Sequence, residues 1–282
     1  MEDTFRNIKD MLNAGFPLLY LVTSEYSRVT QKLRKIAFEG DYAFHTWDCV
    51  DYLRTHNKSA SNRLEGIVSH PEHESTQDCE TLLEFLHKGL GKSEDKSKEI
   101  FVIEDFHKYF DREKVIVSLR KLSYEMKELN KHIIFLSPSY QLPDEIEKYV
   151  TVVSVPLPDR RDLDLRFKSV YPEPIDEDLK KYILDAALGL TDTEAELAFR
   201  LANQIVGLNN KDAVQIVANV VAWIVVAPVL DILIYSEPAN KVFVQGVFAC
   251  LGNVIITAIL GTLLGVGYTK IGAKSSSLSK ED

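Results

Sequence analysis

Two uncharged runs in the last quarter of the chain constrain it more than any other feature. Residues 213–230 read AVQIVANVVAWIVVAPVL, and residues 242–268 carry no charge over 27 positions. A helix rises about 1.5 Å per residue and must cross roughly 30 Å of hydrocarbon, so about 20 residues suffice. The second run is long enough with margin. The first reaches that length only if Asp231 is passed and ILIY is included. A buried helical hairpin in a soluble core is the alternative, but soluble helices nearly always keep a charged face.

Between the runs lies SEPANK, read as a short polar turn in which Pro238 stops a helix and Asn240 tolerates the turn. Two antiparallel helices joined this tightly form a transmembrane hairpin, expected over 212–269. The tail, 270–282, supplies Lys270, Lys274 and Lys280, with Glu281 and Asp282 beside the last. The polar start, MEDTFRNIKD, contains no cleavable signal pattern. The expectation is a plasma-membrane protein whose amino-terminal part and tail are both cytoplasmic, on the side that favours lysine.

Polar side chains in these runs are costly against acyl chains. Asn219, Asp231, Gln245 and Asn253 therefore either pack the two helices together or face further helices. Gly246, Ala249 and Gly252, with the pair Gly261 and Gly265 in GTLLG, offer small surfaces for close helix contact.

Upstream the chemistry changes. Residues 211–282 hold five basic and five acidic side chains, so the first 210 carry the whole net charge of −9, as 28 Lys+Arg against 37 Asp+Glu. That balance disfavours a nucleic-acid partner. Cys49, Cys79 and Cys250 are far apart and form no CxxC pair, which excludes a zinc ribbon or a disulfide scaffold.

Short β-rich runs alternate with helical stretches: PLLYLVT (17–23), YAFHTW (42–47), EIFVIEDF (99–106), HIIFLS (132–137) and VTVVSVP (150–156). Their nearly continuous apolar character suits strands buried on both faces. Val29, Leu33, Ile36 and Ala37 share one face of a helix that stops at Gly40. Asp111 opens another, with Val115, Leu119, Leu122 and Met126 inward. The pattern predicts an α/β fold with a mainly parallel, doubly wound sheet over 1–157. Residues 54–77 read as an exposed polar loop. After Pro156 and Pro158 a helical segment, 158–208, follows, with a break at Gly189.

No catalytic, cofactor or metal constellation emerges. GLGKS (89–93) resembles the end of a phosphate-binding GxxxxGK[ST] loop, but Leu86 stands where the first glycine belongs and CETLLEFLHK before it is helical. It reads as a solvated helix end. The connection after PLLYLVT, where a phosphate loop belongs in this topology, is SEYSRV. VIEDF looks like a magnesium-holding strand end, with Glu104 and Asp105, yet without a phosphate site it reads as a polar strand terminus. His70, Glu72, His73 and Glu74, near Cys79, are metal-ligand types in a loop that Pro71 gives no rigid geometry.

The segments AGFPLLYLVTSEYSRV, HTWDCVDYL, EIFVIEDFHKYF, IIFLSPSYQLPDEIEKYV, VPLPDR and AALGLTDTEAELAFRLA resemble the AAA-domain family known from a conserved chloroplast open reading frame. The resemblance implies a degenerate ATPase-like module that precedes a true AAA module. It carries over no ATP-site residue, and it implies a separate AAA ATPase chain as a partner. VQIVANVVAWIVVAPVLDILIYSEPANKVFVQGVFACLGNVIITAILGTLL resembles the carboxy-terminal end of riboflavin-type S components of energy-coupling-factor transporters. That implies a six-helix bundle of which two helices are present, with coupling subunits as partners and an incomplete vitamin pocket. Together the resemblances suggest a fusion of two truncated proteins joined near 207–212: a membrane-anchored non-catalytic module, or alternatively a transporter fragment or a regulatory partner of an AAA ATPase.

Overall fold

A computed structural model describes residues 2–56, 67–69, 73–90, 97–127, 129–236 and 238–278. The chain divides into two compact units, Met1–Pro156 and Leu157–Asp282.

The first unit is built on a seven-stranded sheet. Its strands are β1 (Leu18–Val22), β2 (Ala43–Trp47), β3 (Arg54–His56), β4 (Ile67–Ser69), β5 (Glu99–Glu104), β6 (Lys131–Ser137) and β7 (Thr151–Ser154), in the order β4-β3-β2-β5-β6-β1-β7. β2, β5, β6, β1 and β7 run parallel, in registers such as Tyr20↔Phe135 and Phe101↔Ile133. The helices are α1 (Glu2–Asn13), α2 (Tyr26–Glu39), α3 (Cys79–Leu90), α4 (Glu113–Lys127) and the short α5 (Asp144–Glu147).

Period-two alternation sends each strand's side chains to two separate cores. Leu18, Tyr20, Phe101, Ile103, Ile133 and Phe135 pack with Leu82, Leu83 and Leu86 of α3 and Val115, Leu119, Leu122 and Met126 of α4. Leu19, Leu21, Ile100, Val102, Ile134 and Leu136 pack on the opposite face with Ile8 and Leu12 of α1 and Val29, Leu33 and Ala37 of α2. Burial on both faces is why these strands read as unbroken apolar runs.

The stretch read as an exposed loop is partly sheet. β3 pairs antiparallel with β2 and with β4. RTH and IVS are too short to show a period, and β3 is specified instead by cross-strand pairs. Thr46 Oγ1 lies 2.9 Å from His56 Nε2, and His45 Nδ1 lies 3.0 Å from Thr55 Oγ1. Burial, then Arg34 and Arg54, hold the His56 imidazole down to about 4, so it is neutral. α4 also starts later than Asp111, because a 3₁₀ turn (Phe106–Tyr109) capped by Phe110 occupies the chain just before it.

The second unit is helical: α6 (Arg160–Val170), α7 (Glu177–Ala186), α8 (Asp192–Ile205), α9 (Asp212–Val220), α10 (Ala227–Tyr235) and α11 (Ala239–Leu278). Capping boxes start α6 (Asp159 with Asp162) and α8 (Thr191 with Glu194), and Asp176 caps α7. Gly189 and Gly207, at φ +97° and +79°, make the turns that end α7 and α8. Leu163, Phe167, Ile183 and Phe199 share one core with Ala213, Ile216, Val217 and Val220 of α9 and Cys250 and Val254 of α11. The sequence reading kept 158–208 apart from 212–269; this core joins them along α9.

α9 and α10 are connected by a π-helical turn, Val221–Val226, with no non-helical residue between them. Pro228 explains the widened turn. Its ring displaces the carbonyl four residues back and it donates no hydrogen bond, so the ladder loosens just ahead of it. The turn between the apolar helices also differs from the expected one. Ser236, at φ +52°, ends α10, whereas Pro238 accepts the first bonds of α11 and Asn240 is already helical. Proline's fixed φ suits the first turn of a helix as well as a stop.

Candidate functional site

Parallel strands bring their carboxyl ends to one edge of the sheet, where open α/β folds bind ligands. Here Val22 aligns with Ser137, Leu136 with Glu104, and Ile103 with Trp47. Only Thr23, Ser24 and Glu25 separate β1 from α2. A GxxxxGK[ST] loop needs about eight residues between strand and helix. The short link is closed on itself: Glu25 N donates to Thr23 Oγ1 at 3.0 Å, and the buried Glu25 carboxylate pairs with Arg28. Arg28 Nη2 also donates to the Pro156 carbonyl at 2.9 Å. A carboxylate and its counter-ion thus lie at the start of α2.

Several acidic groups share this edge. The Tyr26 hydroxyl donates to Asp105 Oδ1 at 2.7 Å, and the Thr30 hydroxyl approaches Glu104 Oε1 at 3.5 Å. Asp48 accepts the amides of Val50 and Asp51, and Asp51 pairs with Arg54. Burial, then Asp48 and Asp105, raise the Glu104 carboxyl to about 7, while the Thr30 contact pulls the other way. Burial and then Asp105 also push the Tyr26 phenol up. Asp105 sits at φ +55°, a left-handed conformation that aspartate tolerates better than most residues.

Asp105, His107 and Ser137 lie close together, but not as a nucleophile triad. Ser137 Oγ is 2.9 Å and Asp105 Oδ1 3.8 Å from the same ring nitrogen, His107 Nδ1, so the imidazole does not relay between them. The Ser137 hydroxyl is also turned to the Ser139 carbonyl, at 2.9 Å. Of the residues considered for metal, Cys79 is buried and receives a hydrogen bond from Arg112 Nη1 at 3.3 Å, Glu74 is exposed in a 3₁₀ turn, and His70 and Glu72 lie outside the described residues. Gly89 belongs to α3, whereas Gly91, Lys92 and Ser93 lie outside the described residues. The Tyr26–Asp105 and Glu25–Arg28 pairs were not foreseen from sequence, since neither matches a motif.

The apolar pair forms a second candidate surface. α11 runs antiparallel to the preceding helices: Gly246 lies against the Trp223 carbonyl and Cys250 Sγ points to the Asn219 carbonyl at 3.9 Å. A Cβ on Gly246 would collide with that carbonyl oxygen, and Pro228 Cγ would stand at 3.1 Å. Gly252 is exposed, with open space where a Cβ would be, so among the described residues it makes no close approach. The side chains from Gly261 onward, Gly265 included, lie outside the described residues.

The four polar residues are placed differently from one another. Asn253 satisfies itself, its Nδ2 donating to Ala249 O at 2.9 Å within its own helix. Gln245 is exposed and Asp231 half-buried. Asn219 Nδ2 is buried with no hydrogen-bond partner among the described residues. Apolar side chains turn outward on both helices, with Leu233 74% and Phe248 71% exposed beside Val226, Leu230, Val244 and Ile256. Asp212–Ile234 is long and apolar enough to cross a membrane, whereas Lys241–Thr257 is a shorter apolar stretch.

Residues 4–155 match the family model for the N-terminal domain of SpoVK-like AAA ATPases, which is more than half of the chain. The chain belongs to that family. Residues 186–270 match the model for the S component of the ECF-type riboflavin transporter. Among curated relatives, the chain is similar to a UPF0397 protein of Lactobacillus helveticus, 51% identical over 98 residues, which is 34% of this chain and 53% of the relative. A UPF0397 protein of Lactobacillus acidophilus is 54% identical over 85 residues, 29% of this chain and 46% of the relative. The chain thus spans about half the length of these relatives. In fold alone, it is similar to a chain of the E. coli MS115-1 HORMA:CdnC:Trip13 complex, with a TM-score of 0.54 at 8% identity over 77% of this chain and 87% of that one.

Proposed function

We propose that this member of the SpoVK-like family is a non-catalytic AAA-like module anchored to the membrane by its apolar helix pair. The outward-facing apolar surface of α10 and α11 carries the reading. Leu233, Ile234, Phe243 and Phe248 lie in contiguous helical stretches, and such side chains each cost about 1.5–3 kcal/mol in water relative to burial. Asp231 costs about 2.5–3.5 kcal/mol at a bilayer centre but far less near an end of the span, and it lies four residues from the end of α10. Lys270 and Lys274 beyond the second run favour a cytoplasmic tail. The three-residue β1–α2 link and the carboxylates around Glu104 disfavour a bound nucleoside triphosphate.

The test is membrane fractionation with nucleotide binding on the same preparation. Retention in the pellet after alkaline carbonate, with no saturable ATP binding, is expected. Release into the soluble fraction, or ATP hydrolysis by the purified chain, overturns the reading.

A second reading rests on Asn219. An amide donor with no partner among the described residues, inside an apolar helix pair, favours a further helix bearing an acceptor, and the similarity of 186–270 to an S component suggests the coupling subunits of such a transporter. Copurification of those subunits with the full chain tests it, and their absence from a detergent eluate that contains the intact chain counts against it.

A further inference from the structure

At the amino ends of β1 and β7, on the edge of the sheet away from Glu104, the first unit holds a cleft of about 440 Å³. Its walls are the turn between α1 and β1, the last turns of α4, and the approach to β7. That volume lies within the usual range for a small-molecule site.

Its chemistry is one-sided. Lys127 and Lys148 reach it from different elements, and no acidic residue is among its described lining. Among the described residues neither lysine has an ion-pair partner, whereas Lys9, Lys168 and Lys180 pair with carboxylates. Tyr124 and Tyr149 stand edge to face at 5.6 Å, and the Tyr124 hydroxyl donates to Tyr149 Oη at 3.2 Å. That bond leaves the Tyr149 hydroxyl hydrogen free to point elsewhere. Phe16, 40% exposed, offers an aromatic ring on the lining. The cleft thus combines two ammonium groups and a phenol donor with aromatic faces.

We propose that this cleft binds a small aromatic dianion of the aryl phosphate class, its phosphate between Lys127 and Lys148 and its ring against Phe16 and Tyr124. Two point-charge cations on separate elements fit a doubly charged head better than a singly charged one. The aromatic lining excludes a bare inorganic ion as the preferred occupant, because stacking adds to the charge contact only when the ligand carries a ring.

The experiment is calorimetric titration of the full chain in lipid nanodiscs with phenyl phosphate, inorganic phosphate and benzoate. Phenyl phosphate is expected to saturate below about 1 mM and to bind at least about tenfold more tightly than either of the others, a difference of about 1.4 kcal/mol. The double substitution Lys127→Gln/Lys148→Gln, at exposed positions, should weaken it at least as much, and Lys108→Gln, outside the cleft, should not. Equal binding of inorganic phosphate, tighter binding of benzoate, no saturation below 1 mM, or indifference to the double substitution overturns the assignment. Trp47 fluorescence of each variant separates lost binding from lost folding.

Discussion

The Tyr26 hydroxyl, at the first residue of α2, holds Asp105 at the end of β5 at 2.7 Å, on the sheet edge where open α/β folds receive ligands. The contact joins the start of a helix to the end of a strand 79 residues away. With Glu25 and Arg28 paired beside it, the edge is built from contacts among its own residues.

Tyr26→Phe removes that bond and leaves the ring. Because Asp105 is partly exposed and can recover water, the loss should be about 1 kcal/mol. It is checked by urea unfolding of the full chain followed through Trp47 in a Trp223→Phe background. ATP binding should not appear in the variant, since the three-residue link and the Glu25 carboxylate remain. A gain of nucleotide affinity would mean that the tyrosine alone was blocking a competent site.

Glu104 gives a pH prediction with a definite sign. Its carboxyl is raised to about 7 from an ordinary value of 4.5, so between those limits the folded state binds the extra proton. Stability from this group is therefore greatest below about 4.5 and declines as pH rises toward and through 7. His56, lowered to about 4 from 6.5, acts oppositely: its contribution is lost as pH falls from 6.5 toward 4. In Glu104→Gln the first slope disappears. The stability difference between variant and parent should grow across pH 4.5–7 by about 1–2 kcal/mol after screening. A difference flat with pH would show that folding does not raise the Glu104 carboxyl.

The sequence disclosed the parallel core because its strands are buried on both faces. The run IIFL within HIIFLS leaves no polar position for another reading, and the helix faces of Val29–Leu33 and Val115–Leu119 follow from the 3.6-residue period. β3 stayed hidden because RTH is specified by hydroxyl–imidazole pairs with β2, which no single-strand pattern reports. The cleft lysines were equally illegible. Lys127 and Lys148 look like any solvated charge until the fold brings them around one cavity. Among the small residues of the helix pair, sequence offered Gly246 and Gly252 as equals, and only the packing distinguishes them.

That distinction is testable. Gly246→Ala places a methyl group against the Trp223 carbonyl, and backbone cannot give way as the tip of a flexible side chain can. Overpacking of this kind costs about 1–3 kcal/mol. Gly252→Ala meets open space and should fall within about 0.5 kcal/mol of the parent, as surface substitutions do. Thermal unfolding in one detergent compares the two. Equal melting temperatures would refute the close approach of α11 to the π-helical turn.

Asn219 makes the final prediction, one in which stability and assembly separate. Its Nδ2 is buried with no acceptor among the described residues, a desolvated donor worth about 1–3 kcal/mol of penalty. Asn219→Leu removes the donor at similar volume and should leave the purified chain as stable as the parent or up to about 2 kcal/mol more so. If the donor serves a further helix, the same substitution should reduce the amount of partner that copurifies from membranes, even as the chain itself becomes more robust. A structural role within the helix pair predicts the reverse, with lower melting temperature and unchanged copurification. Detergent melting and quantitative pull-down on the same two samples decide between them, because the two roles move the two measurements in opposite directions.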